Sequence, residues 1–108
     1  MGMERVVTFS GAGPSWAAVR HRLSAAGVAV QMRMIDNLPA FPNEEPPDDW
    51  RELRVTLGAG MITIRREPGR VRLTVWGNAD EEFRRHQELL ARSFEDADGG
   101  NSRPTSEA

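Results

Sequence analysis

Cysteine, lysine and tyrosine are all missing from this chain of 108 residues. Without cysteine the protein can form neither disulfides nor thiolate metal sites. Without lysine its 14 basic residues are all arginine, a bias that we attribute to codon usage rather than to function. No apolar run approaches the roughly 20 residues that span a membrane, and the first residues lack the layout of a signal peptide. We therefore expect a cytoplasmic protein with no membrane partner.

What is present suits one ordinary globular domain. Hydrophobic residues make up 39% and charged residues 28% of the chain, and the formal net charge is −2. Such a balance supports a core and gives no bulk attraction to nucleic acid or membrane. From Glu95 onward the chain turns to Asp, Gly, Asn, Ser and Pro, a composition that buries too little apolar area to become ordered. We predict a single domain over residues 1–94 and a disordered tail over residues 95–108.

The spacing of apolar residues predicts five strands and two helices. Alternation, which is typical of half-buried strands, occurs in five segments: 5–10, 28–36, 53–57, 62–64 and 71–75. Helical spacing follows Pro14 as far as Gly27, and it recurs between a capping residue, Asn78, and Phe94. The order β-α-β-β-β-β-α predicts an α+β fold, in which both helices cover one face of an antiparallel sheet and leave the other open. This order resembles the half-repeat of TATA-binding-protein-like folds, a resemblance of topology that implies a shape and no activity.

A proline-rich connection, residues 37–49, separates the second predicted strand from the third. Because proline interrupts both helices and strand ladders, we predict a long loop here. Its apolar residues, Leu38 and Phe41, are expected to fold back on the domain and anchor the loop, while its acidic second half stays exposed. The alternative is that Phe41 docks a partner.

The first third of the chain resembles the opening of a dinucleotide-binding Rossmann unit. A strand leads through Gly11 and Gly13 into a helix, and the next strand ends at Asp36. In that family the glycines admit a pyrophosphate and the acid holds a ribose hydroxyl. Trp16 stands where a third glycine would allow close helix packing, and hairpins rather than further βα units follow. A plain strand-to-helix turn explains the segment better, and we predict no cofactor.

No motif indicates residues that carry catalysis or hold a metal. The two histidines, His21 and His86, have no close partner in sequence for metal or triad chemistry. Single serines and aspartates are too common to be chosen as nucleophiles. We therefore name no catalytic or metal-binding residue, and an enzyme is the less favoured hypothesis.

The three tryptophans divide by position. Trp16 falls on the apolar stripe of the first helix and is predicted to be buried. Trp50 and Trp76 have the opposite parity to the core residues of their strands, which places both on the open sheet face. The alternative is that the rim of the sheet or the long loop covers them. Aromatic side chains on such a face serve as contact platforms.

Two predicted turns bring three arginines into one row on the open face. A turn at residues 68–69 pairs Arg65 with Arg72, and a turn at residues 59–60 pairs Arg54 with Arg65. A row of threonines is predicted beside them: Thr56, Thr63 and Thr74. Like charges placed opposite each other are unfavourable, so such a row favours an anionic partner.

The arginine row and two neighbouring residues form the candidate binding site: Arg54, Arg65, Arg72, Trp76 and Arg33. Guanidinium groups bind carboxylate and phosphate oxygens through several donors at once. The alternative is that these arginines splay apart and pair within the fold, with Glu52, Glu67 or the acidic loop.

The sequence favours a small non-enzymatic binding domain that presents its open face to an anionic ligand, an acidic protein or a second copy of itself. The alternative is a nucleic-acid-binding module that uses the same face through aromatic stacking and arginine–phosphate contacts. A near-neutral domain without lysine disfavours nucleic acid. A small enzyme or a dinucleotide binder ranks last.

Overall fold

The computed structural model describes residues 3–9, 11, 13–57, 60–75 and 81–97 of the chain. Within these residues, six strands and two helices have the following bounds: β1 Met3–Thr8, α1 Trp16–Ala25, β2 Val30–Ile35, β3 Leu38–Pro39, β4 Glu52–Leu57, β5 Gly60–Glu67, β6 Arg70–Val75 and α2 Glu81–Ala97. The predicted α+β class and antiparallel sheet are confirmed. One short strand, β3, was not predicted, because it lies inside the proline-rich connection.

The strands form one sheet in the order β1-β6-β5-β4-β2-β3, and every described pair is antiparallel. Since β6, β5 and β4 separate β1 from β2, the first strands cannot form the parallel neighbours of a dinucleotide-binding unit. Asp36, which would hold a ribose in such a unit, instead accepts hydrogen bonds from the backbone amides of Glu52 and Arg51 at 2.9 and 2.8 Å. These two hydrogen bonds lower the pKa of the Asp36 carboxyl. The acid therefore fixes the start of β4.

One face of the sheet is apolar and packs against the helices. Its central strand residues are completely buried: Leu53, Val55, Leu57, Ile62, Ile64 and Leu73. Both helices add residues to the same core cluster: Trp16, Val19 and Leu23 from α1, and Leu90 and Phe94 from α2. Trp16 is 3% exposed, and its ring centroid lies 6.3 Å from that of Phe94. Its predicted burial is confirmed.

Trp50 also belongs to this core, so the prediction that it lies on the open face is wrong. Its side chain is 2% exposed, and the guanidinium of Arg66 stacks over its ring at 4.4 Å. Trp50 precedes β4, and its amide donates to the carbonyl of Pro47 in a turn. The alternation of the strand therefore does not extend to it. Trp76 lies outside the described residues.

Helix α1 begins two residues later than predicted. Ser15 is its N-cap, and Ser15 Oγ accepts a hydrogen bond from the Ala18 amide at 3.2 Å. Pro14 therefore precedes the helix instead of opening it. At the other end Gly27 has a φ of 82°, a conformation that glycine adopts without strain, and it ends the helix as predicted.

Helix α2 is longer than predicted. It continues to Ala97 and includes Glu95, which the sequence assigned to the tail and which lies 3.7 Å from Arg5 of β1. The predicted cap, Asn78, and residues 98–108 lie outside the described part of the chain. Within that part, neither helix has the length and hydropathy needed to cross a membrane.

A bulge in β2 changes which of its residues reach the core. The pairing of β2 with β4 shifts between Met32 and Met34. Strict alternation placed these two methionines on one face and Ile35 on the other. The extra residue, Arg33, turns Met34 toward the face of Arg54 and brings Ile35 into the core.

The proline-rich connection does not anchor itself through its apolar residues, so that prediction is wrong. Leu38 is 68% and Phe41 76% exposed. A tight turn holds the connection to the sheet edge instead, with φ values of 50° at Asp36 and 72° at Asn37. Two-residue hairpins need this left-handed conformation, which Asp and Asn tolerate. Buried Trp50 then fixes the far end of the connection.

Candidate binding site on the open sheet face

The hairpin of β5 and β6 confirms the predicted register. Arg65 lies opposite Arg72, and Thr63 lies opposite Thr74. The turn contains Gly69 with a φ of 76°, as a type II turn requires. Opposite residues of an antiparallel pair share a face, so all four side chains belong to the face away from the helices.

The hairpin of β4 and β5 differs from the prediction by two residues. Gly60 belongs to β5 rather than to the turn, so Arg54 lies opposite Thr63 and not opposite Arg65. Side-chain direction repeats every two residues, so this shift leaves each side chain on its predicted face. It nevertheless breaks the predicted row of three arginines, because Glu52 now lies opposite Arg65.

Glu52 is shared by two of the arginines. Its Oε1 accepts a hydrogen bond from Arg65 Nη2 at 2.9 Å, and its Oε2 lies 3.4 Å from Arg54 Nε. The Glu52 side chain is 17% exposed, against 40% for Arg54 and 63% for Arg65. The carboxylate is thus covered by two guanidiniums that remain accessible. We call these three residues the Glu52 triad.

A second carboxylate, Glu67, holds two further arginines. Arg70 Nε donates to Glu67 Oε1 at 2.7 Å and Arg72 Nε to Oε2 at 3.2 Å, while Arg72 Nη1 donates to Glu4 at 2.9 Å. Hydrogen bonds from Arg72 and Arg70 hold the pKa of the Glu67 carboxyl below its ordinary value. Arg65 and Arg72 therefore turn toward different carboxylates, which offsets the repulsion between opposite like charges.

The arginines of the open face thus pair within the fold, as the alternative interpretation predicted. Glu52 and Glu67 were foreseen as partners because they flank the arginines in sequence. Glu4 was missed because it belongs to β1, 68 residues away from Arg72. No local pattern in the sequence shows that β1 lies beside β6.

The two clusters differ in net charge. Arg70 and Arg72 face the two carboxylates of Glu4 and Glu67, so their charges balance. In the Glu52 triad, two guanidiniums face one carboxylate and one positive charge is left. Of these two clusters, the triad therefore carries the excess positive charge.

Arg54 also has unused hydrogen-bonding capacity. Its Nε is buried and donates no hydrogen bond to any described residue. Its Nη1 lies 3.8 Å from the sulfur of Met34, which is a weak acceptor. The Nε atom lies 3.4 Å from Glu52 Oε2, so it contributes to the triad through charge rather than through a hydrogen bond.

A concavity of about 990 Å³ covers this face and extends to the start of α2. The Glu52 triad lines it, together with the hydroxyl-bearing Thr63 and Thr74. Toward α2 it is lined by Met61, which is 46% exposed, and by Phe83 and His86. One concavity therefore combines charged, hydroxyl and apolar surfaces, as binding pockets of this size commonly do.

Three of the five predicted site residues, Arg54, Arg65 and Arg72, line this concavity. Arg33 is exposed at the bulge and is not among the described lining residues, and Trp76 falls outside the described ranges. Phe83 and His86 were missed because they come from α2. The glycine at position 60 was a sequence signal for Phe83, because the Phe83 ring occupies the place where a Cβ at position 60 would stand.

Within the described ranges, no group of three His, Asp or Glu side chains is placed to hold a metal ion. Comparisons with protein-family models, with curated proteins and with solved structures give no match.

Proposed function

We propose that the protein is a non-catalytic binding module that holds carboxylate groups of an acidic protein partner in the open-face concavity. The Glu52 triad carries this proposal, because its two guanidiniums share one carboxylate and keep positive charge. A guanidinium offers five donors in a planar fork that matches a carboxylate. Arg65 donates to Glu52 through Nη2 and is 63% exposed, so its fork remains accessible to a partner.

Glu52 lowers the net positive charge of the site, and it also holds the two arginine side chains in position before a partner binds. A free arginine side chain loses conformational entropy when a ligand immobilises it. Glu52 already holds Arg65 at 2.9 Å and Arg54 at 3.4 Å. A partner that binds these side chains therefore costs little further conformational entropy. Such preorganisation favours affinity and defines where the partner's carboxylate lies.

The apolar part of the concavity favours a protein partner over a small anion. Met61 and Phe83 lie along the same concavity as the triad. Protein interfaces combine an apolar centre with arginines and aromatic residues. An acidic segment that also carries an apolar side chain would use both parts.

Nucleic acid is the less favourable partner. Four carboxylates line the same concavity as the arginines: Glu4, Glu52, Glu67 and Glu82. A phosphate backbone would approach these carboxylates closely, and nucleic-acid affinity depends on neutralising several phosphates at once. A single carboxylate group of a protein partner can be bound by the triad alone.

Amide chemical shifts test the proposal during titration with a short glutamate peptide and, separately, with a single-stranded oligonucleotide. The peptide should shift the amides of Arg54, Thr63 and Arg65, and Arg65→Ala should abolish these changes. Arg22→Ala, an exposed arginine of α1, is the matched control and should leave them intact. Shifts confined to other surfaces up to millimolar peptide would contradict the proposal. Stronger, salt-sensitive shifts with the oligonucleotide would favour the nucleic-acid alternative.

A further inference from the structure

The strand β5 sets the order of the side chains along the concavity. Arg65, Thr63 and Met61 follow one another on the open face, each two residues from the next. Because a strand rises about 3.3 Å per residue, successive side chains on one face lie roughly 7 Å apart. Glu52 lies opposite Arg65, and Arg54 lies opposite Thr63. The Glu52 triad is therefore separated from Met61 by one to two side-chain spacings along the strand.

The start of α2 continues the concavity beyond Met61. The Phe83 ring stands where a Cβ on Gly60 would be, and Gly60 directly precedes Met61 in β5. Glu82, the residue before Phe83, also lines the concavity. The order along the concavity is thus the triad, then Met61, then Glu82.

The carboxylates of the concavity are not all paired. Glu4 and Glu67 both bind Arg72, and Glu52 belongs to the triad. The fourth carboxylate, Glu82, is exposed, and none of the described residues forms an ion pair with it. Since the triad keeps one positive charge, the concavity has a positive end at the triad and a negative end at Glu82.

The surface between these two ends is apolar. Met61 is 46% exposed there, and the Phe83 ring lies beside it at the start of β5. A partner that spans the concavity therefore meets a cationic, an apolar and an anionic surface in that order.

We infer that the concavity binds an extended segment of a protein partner that carries a carboxylate, an apolar and a cationic side chain at alternate positions. This inference rests on the proposed function, because the carboxylate of the segment is the group held by the triad. Alternate side chains of an extended segment share one face and lie roughly 7 Å apart, which is also the spacing of side chains along β5. The apolar side chain then contacts Met61, and the cation reaches Glu82.

The negative end makes the site selective. A uniformly acidic segment would place a carboxylate against Glu82, and like charges that face each other across an interface are unfavourable. A cation at that position gains an ion pair instead. Opposite charges at the two ends also fix the direction in which the segment lies.

Glu82 has a second role, and a neighbouring residue controls for it. An acidic residue in the first turn of a helix interacts favourably with the positive end of the helix dipole. Glu81 and Glu82 both lie in the first turn of α2, and both are exposed. Glu82 lines the concavity, whereas Glu81 is not among its described lining residues. Glu81→Gln is therefore the matched control for Glu82→Gln.

Blocked pentapeptides test this inference in amide chemical-shift titrations of the full chain at low ionic strength. One pair is Glu-Ala-Leu-Ala-Lys and Glu-Ala-Leu-Ala-Gln, and the pair with reversed sequences covers the other chain direction. In at least one pair, the lysine peptide should bind about two- to fivefold more tightly than the glutamine peptide, and it should shift the Met61 and Glu82 amides. Glu82→Gln should abolish this preference, and Glu81→Gln should retain it. Equal affinities within both pairs, or a preference that survives in Glu82→Gln, would overturn the inference.

Reversing the charge at the negative end provides a stricter test. Glu82→Arg should prefer Glu-Ala-Leu-Ala-Glu to Glu-Ala-Leu-Ala-Lys, whereas Glu81→Arg should keep the preference of the wild type. The exchange of preference cannot come from a loss of folding, because it requires binding by the variant. If Glu82→Arg still prefers the lysine peptide, the cation does not lie at Glu82 and the inference is wrong.

The two proposals fail separately. If the peptides bind with affinities that do not depend on their lysine, and Arg65→Ala abolishes this binding, the carboxylate site stands and the cation site at Glu82 is wrong. If none of the peptides shifts the amides of Arg54 and Arg65 up to millimolar concentration, both proposals are wrong.

Discussion

The two faces of the central strands are built from alternate residues of the same segments, yet they differ completely in chemistry. On the helix side, Leu53, Ile64 and Leu73 are fully buried in one apolar cluster. On the open side, the neighbours Glu52 and Arg65 form ion pairs that remain partly in water. Burial of apolar area is worth roughly 25 cal/mol per Å², whereas exposed ion pairs contribute about 0–1 kcal/mol. The helix side therefore supplies most of the stability, and the open side is the one to which we assign a binding role in our proposal.

This difference also explains how the open-face arginines can pair within the fold and still serve the binding role that we propose for them. Their ion pairs contribute little to the free energy of unfolding because solvent screens them. They nevertheless restrict where each guanidinium lies, as Glu52 does for Arg54 and Arg65. Substitutions on the helix side should therefore change mainly stability, and substitutions on the open side should change mainly binding.

The largest expected effect is on the helix side. Trp16→Ala should lower the free energy of unfolding by about 3–5 kcal/mol, because a large aromatic ring would leave a cavity against Phe94. Phe41→Ala removes an aromatic ring that is 76% exposed and should change stability by no more than about 0.5 kcal/mol. Urea denaturation of both variants checks the contrast. Equal losses for the two would show that the helix side does not dominate stability.

A smaller loss is expected where α2 meets β5. The Phe83 ring lies where a Cβ on Gly60 would stand, so Gly60→Ala should displace the ring at a cost of about 1–3 kcal/mol. Gly11→Ala is the control, since nothing lies within 4 Å of a Cβ at that position. In a double-mutant cycle, Phe83→Ala should remove most of the penalty of Gly60→Ala. Additive effects of the two substitutions on the free energy of unfolding would contradict a contact between position 60 and the Phe83 ring.

The sequence predicted the composition of the two faces well, because strand alternation alone decides it. Leu53, Ile62 and Leu73 were assigned to the core from their period of two, and they are fully buried. The register of β5 and β6 was also predicted, since a Pro-Gly pair has a defined place in a turn. Trp16 was recognised from helical spacing.

The features that the sequence did not predict depend on the backbone geometry at single residues. Assigning Gly60 to a turn rather than to β5 displaced the register by two residues and created a false row of arginines. The bulge at Arg33 exchanged the faces of Met34 and Ile35. Contacts between distant strands, such as that of Glu4 with the open face, have no local signature at all.

Charge reversal on the open face should have a modest effect on stability. Arg65→Glu removes the hydrogen bond to Glu52 and places two carboxylates opposite each other. It also removes the like charge opposite Arg72, so the two changes partly cancel. Because Arg65 is 63% exposed, we expect a loss of at most about 1 kcal/mol in urea denaturation. A gain in stability would mean that arginine repulsion outweighs the Glu52 pair.

The smallest expected effect is the acid sensitivity of the open face. Arg72 and Arg70 lower the pKa of the Glu67 carboxyl in the folded protein. A lowered folded pKa stabilises the fold above the unfolded value, about 4.3 for glutamate, and this contribution is lost as the pH falls through the folded pKa. Wild type should therefore exceed Glu67→Gln in Tm at pH 6, and the difference should shrink as the pH falls below the unfolded pKa of glutamate. Arg72→Gln removes the principal donor, so the change in Tm caused by Glu67→Gln should be smaller in that background. A Tm difference that does not shrink as the pH falls would show that Glu67 does not couple protonation to folding.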